Sequence, residues 1–108
     1  MTEPESRTLT VLVKLPSEID YTNNGDVYAD LLAAASPDAK LLVADMTQTR
    51  FCDTAGIREI IRAQRNVNKT GVVFRLVVPP GPVLRVVQLH GLGDMLRPYA
   101  TLDEALNS

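Results

Sequence analysis

The sequence has few of the residues that build crosslinks, metal centres or membrane spans. It contains one cysteine, one histidine and no tryptophan in 108 residues, so Cys52 has no second thiol for an internal disulfide or a zinc site. Eleven basic and thirteen acidic residues give a net charge of −2, without a basic cluster to bind nucleic-acid phosphates. No apolar stretch approaches the roughly 18 residues that cross a bilayer. With an acidic start that lacks a hydrophobic secretory segment, these absences predict a cytoplasmic protein with no nucleic-acid or membrane partner.

The sequence does contain enough apolar material for one folded domain. Hydrophobic residues make up 45% of the chain, which suits a two-layer core and excludes a disordered chain. The length is about 0.7 of a typical domain of about 150 residues. We therefore expect one domain over residues 8–108, preceded by a polar, proline-containing flexible N-terminus over residues 1–7.

Strand and helix patterns alternate along this domain. Period-two or short apolar patterns predict strands over residues 8–15, 41–44 and 72–78, and an extended segment over 95–99. Four helices are predicted, over residues 26–35, from the 53–56 segment to about 69, from Pro82 to Gly91, and from 101 through 106. Asn23 or Asn24 is the expected cap of the first, and the Thr101–Glu104 segment forms a capping box for the last. This alternation predicts an α/β fold with a mixed, mainly parallel sheet of four to five strands and about four helices.

No arrangement of side chains typical of an enzyme is visible. His90 has no neighbouring nucleophile, and a histidine at a helix end is favoured by the helix dipole alone. Cys52 precedes an aspartate, which disfavours its thiolate. Asp20, Asp45 and Asp53 could meet at the carboxyl ends of strands and bind Mg²⁺, although loop aspartates are usually solvated or capping residues. We expect no enzymatic activity, no metal and no cofactor.

The segment Asp53-Thr54-Ala55-Gly56 lies at the start of the strongest predicted helix. Unpaired backbone N–H groups and the positive end of the helix dipole at such a position accommodate a phosphate. The simpler interpretation is that Asp53 or Thr54 caps the helix and that Gly56 permits close packing. On spacing alone, the sequence favours the cap.

Several segments together resemble one known family. Residues 42–45 and 51–57 look like a core signature, residues 16–20 are similar to a turn before a first helix, residues 83–92 resemble a late helix with its Gly-Leu ending, and residues 101–106 resemble a terminal helix. The family is that of STAS domains, the sulfate-transporter and anti-sigma-factor-antagonist modules. The match is closest to the bacterial anti-sigma factor antagonists and covers nearly the whole chain from Thr8.

The resemblance implies a regulator of transcription in the bacterial stress response. Such a protein binds an anti-sigma factor with a GHKL-type, ATP-dependent kinase domain and so frees a sigma factor. The kinase phosphorylates the Ser or Thr directly after the motif aspartate, and a phosphatase resets the switch. Carried over to this chain, the phosphoacceptor is Thr54. The residues expected to contact the partner or the phosphate are Asp20, Asp53, Ala55, Gly56 and Arg58.

Two other hypotheses remain open at this point. Thr54 and Ala55 stand where the family usually has two hydroxyl residues beginning with Ser, which is compatible with a non-phosphorylated STAS-type scaffold in stress signalling, transport regulation or lipid transport. That hypothesis predicts partner binding indifferent to Thr54. A domain that binds a small molecule or nucleotide predicts instead a concave pocket at the strand carboxyl ends, with Asp20, Asp45 and Asp53 near the ligand.

Overall fold

The computed structural model describes residues 7–89 and 91–108. The strands in this part of the chain pair in parallel. The strands are β1 (Leu9–Lys14), β2 (Glu18–Ile19), β3 (Ala39–Asp45), β4 (Phe51–Cys52) and β5 (Val73–Val77). The helices are α1 (Asn24–Ala34), α2 (Thr54–Lys69), α3 (Pro82–Leu89), α4 (Gly93–Leu96) and α5 (Leu102–Leu106).

The strands form a main sheet in the order β1-β3-β5 and a small sheet of β2 and β4. Both neighbours of β3 run parallel to it, as do β2 and β4 to each other. The small sheet lies beyond the carboxyl edge of the main sheet, because β2 follows β1 and β4 follows β3. The predicted α/β fold with parallel strands is therefore confirmed. The strands divide into two sheets rather than one, and the described helices number five rather than four.

Strand β3 lies at the centre of the core. Its side chains are buried along the whole strand except at Lys40. Leu42 and Ala44 pack into the larger cluster with α1 and α2, whereas Leu41 and Val43 belong to a smaller cluster with Val77 and α5. Because neighbouring residues of a strand face opposite sides of the sheet, the two clusters lie on its two faces. The second face is the less covered one, since Leu12 is exposed there beside Val43.

The predicted extended segment over 95–99 is wrong for its first half, which forms α4. Leu92, Met95 and Leu96 have the i, i+3, i+4 spacing of a helical turn, and Leu96 is buried in the larger cluster. Arg97 ends the turn in a left-handed conformation, with φ 44°. Only Tyr99 then pairs with the sheet, through a single bridge to Val77.

The ends of the other late helices follow their sequence signals. Gly91 adopts φ 67°, and the N–H of Leu92 donates to the carbonyl of Val87, which is the bonding of a glycine-terminated helix. The predicted cap at Thr101 is present, since Thr101 Oγ1 accepts the N–H of Glu104 at 3.1 Å. The Glu104 carboxylate accepts the N–H of Ala100 at 3.2 Å, one residue before the position that a capping box requires. The interpretation of His90, and most of the expected flexible segment 1–7, lie outside the described residues.

Asn23 precedes α1 but does not cap it as predicted. Its Oδ1 accepts the N–H of Asp20 at 2.9 Å, and its Nδ2 donates to the carbonyl of Glu18 at 2.8 Å. The side chain therefore closes the turn between β2 and α1 by bonding backward along the chain. Asparagine side chains commonly satisfy a turn backbone in this way.

We expect Asn23→Ala to destabilise the protein by about 1–3 kcal/mol, because two backbone groups lose their partner and one of the two bonds is partly buried. Asn24→Ala is the matched control, since the Asn24 side chain forms no hydrogen bond with the described residues, and it should cost under about 0.5 kcal/mol. Urea unfolding measures both. Equal losses in the two variants would contradict the role given to Asn23.

Candidate functional site

The site is built on the first turn of α2. Asp53 precedes the helix with φ −79° and ψ 174°, and its Oδ1 accepts the N–H of Gly56 at 2.7 Å. The structure thus gives the capping role to Asp53 rather than Thr54. Thr54 is the first helical residue and is partly exposed. A group added to this side chain would sit at the positive end of the helix dipole, one residue from the Asp53 carboxylate.

Gly56 brings this turn into direct contact with the small sheet. A Cβ atom on Gly56 would lie 2.8 Å from Cys52 Sγ, 2.8 Å from Ile19 Cγ2 and 3.3 Å from Asp53 Oδ1. All three neighbours are fixed, because Cys52 and Ile19 are buried and Asp53 forms the cap. The expectation that Gly56 permits close packing is confirmed. Gly56 is a positioning residue and is itself buried.

Asp20 comes to the same edge through the register of the small sheet. Ile19 pairs with Cys52, and the N–H of Asp53 donates to the carbonyl of Ile19 at 3.2 Å. Asp20 and Asp53 therefore follow neighbouring parallel strands at matching positions, where strands are about 4.8 Å apart. Asp20 Oδ1 accepts hydrogen bonds from the hydroxyl and from the N–H of Thr22. The bond from the hydroxyl, followed by the bond from the N–H, lowers the pKa of Asp20. Asp20 is thus held ionised, with its Oδ1 engaged within its own turn.

The remaining predicted residues face solvent along α2. Ala55 and Arg58 are exposed, and Arg58 lies one turn after Thr54 on the same side of the helix. Asp45, by contrast, does not join this group. It is 2% exposed, and its Oδ1 accepts the N–H of Thr47 at 2.8 Å. In residues 7–89 and 91–108, no three His, Cys, Asp or Glu side chains are grouped so that they could hold a metal ion.

Two exposed aromatic side chains beside the site were missed by sequence reasoning. Phe51 is 50% exposed and directly precedes the buried Cys52, and Tyr21 is 83% exposed and follows Asp20. Strand β4 contains only two residues, which is too short to show the alternation that reveals an outward-facing side chain. We call these two aromatics, together with Thr54, Ala55 and Arg58, the Thr54 surface, because all five are at least partly exposed and lie in the segments next to Asp20 and Asp53.

The comparisons with known proteins agree with this architecture. The model of the STAS domain matches residues 2–105. The chain belongs to the STAS-domain family. STAS domains are typically regulatory and binding modules. No curated protein matches the chain in sequence. Within the described residues, no helix has the length and apolar character that a membrane span requires.

Solved structures of STAS proteins superpose on most of the chain. A sulfate transporter family protein from Wolinella succinogenes has a TM-score of 0.75 at 16% identity, over 90% of this chain and 81% of that one. The anti-sigma factor antagonist SpoIIAA in its unphosphorylated form has a TM-score of 0.71 at 24% identity, over 97% and 90%. The Bacillus cell fate determinant SpoIIAA in its phosphorylated form has a TM-score of 0.64 at 23% identity, over 97% and 94%. These likenesses show the STAS fold.

We expect Gly56→Ala to destabilise the STAS domain by about 1–3 kcal/mol, because a methyl group there would overlap buried side chains. Gly25→Ala is the matched control. Gly25 also lies in the first turn of a helix, nothing is within 4 Å of its Cβ position, and the change should be neutral or stabilise by up to about 1 kcal/mol. Urea unfolding of both variants tests the packing. A Gly56→Ala protein as stable as the parent would refute it.

The Cys52 thiol should be unreactive in the folded protein. Burial, with a further contribution from the Asp53 carboxylate, raises the pKa of Cys52 to about 12. Only the thiolate attacks the disulfide bond of the reagent, so at pH 8 the native protein should react roughly a thousand-fold more slowly than the urea-unfolded chain. The release of thionitrobenzoate from Ellman's reagent measures both rates. Comparable rates would show that the thiol is accessible and ionisable in the native state.

Proposed function

We propose that this STAS protein is an anti-sigma factor antagonist, a cytoplasmic binding protein without catalytic activity of its own. Its Thr54 surface docks on a GHKL-type anti-sigma factor kinase, and phosphorylation of Thr54 ends the docking. The observation that carries the proposal is the position of Thr54, which is partly exposed as the first residue of α2 and adjoins the Asp53 cap. SpoIIAA, an antagonist with the same fold, has been solved with and without phosphorylation, which supports the assignment.

A phosphate on Thr54 is compatible with the isolated fold. The kinase transfers the γ-phosphoryl group of ATP to Thr54 Oγ1, with loss of the hydroxyl proton and release of ADP. The new dianion lies at the start of a 16-residue helix, where the dipole favours negative charge. The exposed Arg58 guanidinium, four residues later, is within reach of it. These two attractions offset repulsion from the Asp53 carboxylate, so the free protein keeps its structure.

The same phosphate is costly inside an interface. It adds about −1.5 to −2 charges beside Asp53 and near Asp20. A docked partner would remove the water that screens this charge, and the group would have to be buried next to carboxylates. A loss of about 3 kcal/mol corresponds to an affinity roughly 150-fold weaker, which is sufficient for a switch.

Phe51 and Tyr21 supply the apolar part of the docking surface. Large aromatic side chains carry much of the binding energy of protein interfaces, where they fill pockets on the partner. Both are exposed, Tyr21 directly after Asp20 and Phe51 two residues before Asp53. We therefore expect the kinase to present apolar pockets to this surface.

Phosphorylation can be tested directly. We expect incubation with a candidate anti-sigma factor kinase, ATP and Mg²⁺ to add a single phosphate to the protein and none to Thr54→Val, which keeps the shape of the side chain but lacks the hydroxyl. Intact-mass measurement, with fragmentation to find the modified residue, reads the result. If the kinase binds the protein but modifies no residue, Thr54 is not a phosphoacceptor. The hypothesis of a non-phosphorylated STAS-type scaffold then replaces the hypothesis of a phosphorylation switch.

Binding of the same kinase tests the switch itself. We expect Thr54→Glu to fold normally and to bind about 10-fold to 150-fold more weakly, since one carboxylate carries less charge than a phosphate. Thr54→Ala should bind like the unphosphorylated parent, and incubation with ATP should not weaken its binding. Ala33→Glu adds the same charge at an exposed position in the last turn of α1 and should leave the affinity unchanged. A Thr54→Glu protein that binds as tightly as the parent would refute the proposal.

A further inference from the structure

A cleft lies at the carboxyl edge of the main sheet, and no residue of α2 lines it. It has a volume of about 290 Å³ and opens between residues 46–50, which connect β3 to β4, and residues 78–83, which connect β5 to α3. None of Asp20, Asp53 and Thr54 lines it. The hypothesis of a ligand held by Asp20, Asp45 and Asp53 therefore does not describe this cleft. Its position is nevertheless the one at which parallel α/β sheets bind small molecules.

The walls of the cleft are largely apolar. Met46, Val78 and Val83 form its inner side, and all three are buried in the protein. Pro79 and Pro80 form the side next to the turn that leads into α3. Flat apolar ring faces and aliphatic groups of this kind bind an apolar body rather than a strongly hydrated ion. The modest volume limits that body to a small molecule.

The cleft carries positive charge, beside the neutral hydroxyl groups of Thr47 and Thr49. Arg50 is the only charged residue in its lining, and among residues 7–89 and 91–108 it forms no ion pair. The N–H of Val83 belongs to the first turn of α3, where helix N–H groups point outward and the dipole is positive. Asp45, which directly precedes Met46, does not line the cleft. Its carboxylate is buried and accepts the N–H of Thr47.

Residues 46–50 are anchored, so the cleft exists before any ligand binds. Thr49 Oγ1 donates to the carbonyl of Pro16 at 2.8 Å, and the N–H of Arg50 donates to the carbonyl of Ser17 at 2.7 Å. The backbone of Arg50 is thereby fixed while its side chain is exposed. A guanidinium on a fixed backbone suits a carboxylate or phosphate, which it can bind with two parallel hydrogen bonds.

We propose that this cleft binds a small organic anion, with a carboxylate or phosphate head group on Arg50 and a compact apolar body against Met46, Val78 and Val83. The ligand sits beside the connection from β3 to β4 and makes no use of Thr54. The proposal therefore stands or falls separately from the phosphorylation switch.

Titration of the ¹⁵N-labelled protein tests the proposal. The probes are phenylacetate and phenyl phosphate, which combine a head group with a ring, phenylacetamide, which lacks the charge, and inorganic phosphate, which lacks the ring. We expect saturable shifts of the amide signals of Thr47, Arg50 and Val83 with at least one of the two organic anions. The Kd of that anion should be at least about ten-fold lower than that of either comparison compound. Which of the two binds better identifies the head group.

Variants of Arg50 test the assigned contact. Arg50→Gln should raise the Kd of the bound anion by about ten-fold. The Kd of Arg50→Lys should lie between those of the parent and Arg50→Gln, because lysine keeps the charge without the planar guanidinium. Arg65→Gln removes the same charge from an exposed position on α2, outside the cleft, and should change the Kd less than two-fold. The amide spectrum of each variant reports whether it is folded.

Four outcomes would overturn the proposal. One is the absence of saturable shifts at concentrations up to about 10 mM, where a ligand of this size with ordinary efficiency binds. Another is equal affinity for phenylacetamide, which would show that the cleft does not select an anion. The third is an Arg50→Gln protein that binds like the parent. The fourth is a set of amide shifts confined to residues away from the cleft.

Discussion

The contact of Gly56 with Cys52 and Ile19 is the constraint on which the Thr54 surface depends. The two-residue strands β2 and β4 have too few hydrogen bonds to be stable alone. They are held because the first turn of α2 packs directly on them, at a distance that leaves no room for a side chain. Since this packing also fixes Asp53 as the helix cap, one close approach determines where Thr54 stands relative to both carboxylates.

The elements that sequence reasoning found are those with a long periodic signal. Helix α2 has 16 residues with one apolar stripe, and β3 is a continuous apolar run because both faces of the sheet bury it. Capping at Asp53 and at Thr101 was also predictable, because a capping side chain bonds to the backbone only three residues away. Such local interactions leave a local mark on the sequence.

The features that were missed depend on contacts between distant segments or on elements too short to have a period. The sequence pattern allowed Asp20, Asp45 and Asp53 to meet at the strand ends, but only the strand register shows that Asp20 and Asp53 are adjacent and that Asp45 is not with them. Asn23 bonds backward to Glu18 and Asp20, although its position before a helix favoured a cap. The Arg50 cleft is formed by two connections more than 25 residues apart, and neither has a binding motif of its own.

The parallel arrangement of the main sheet has a consequence for synthesis of the protein. Neighbouring strands in it are never consecutive in the chain, so no hairpin can form early and each pairing waits for a crossover to be completed. The central strand β3 gains its second partner only when β5, ending at Val77, has left the ribosome. Until then the edge of β3 that will pair with β5 is open on the nascent chain, and its backbone N–H and C=O groups have no strand partner.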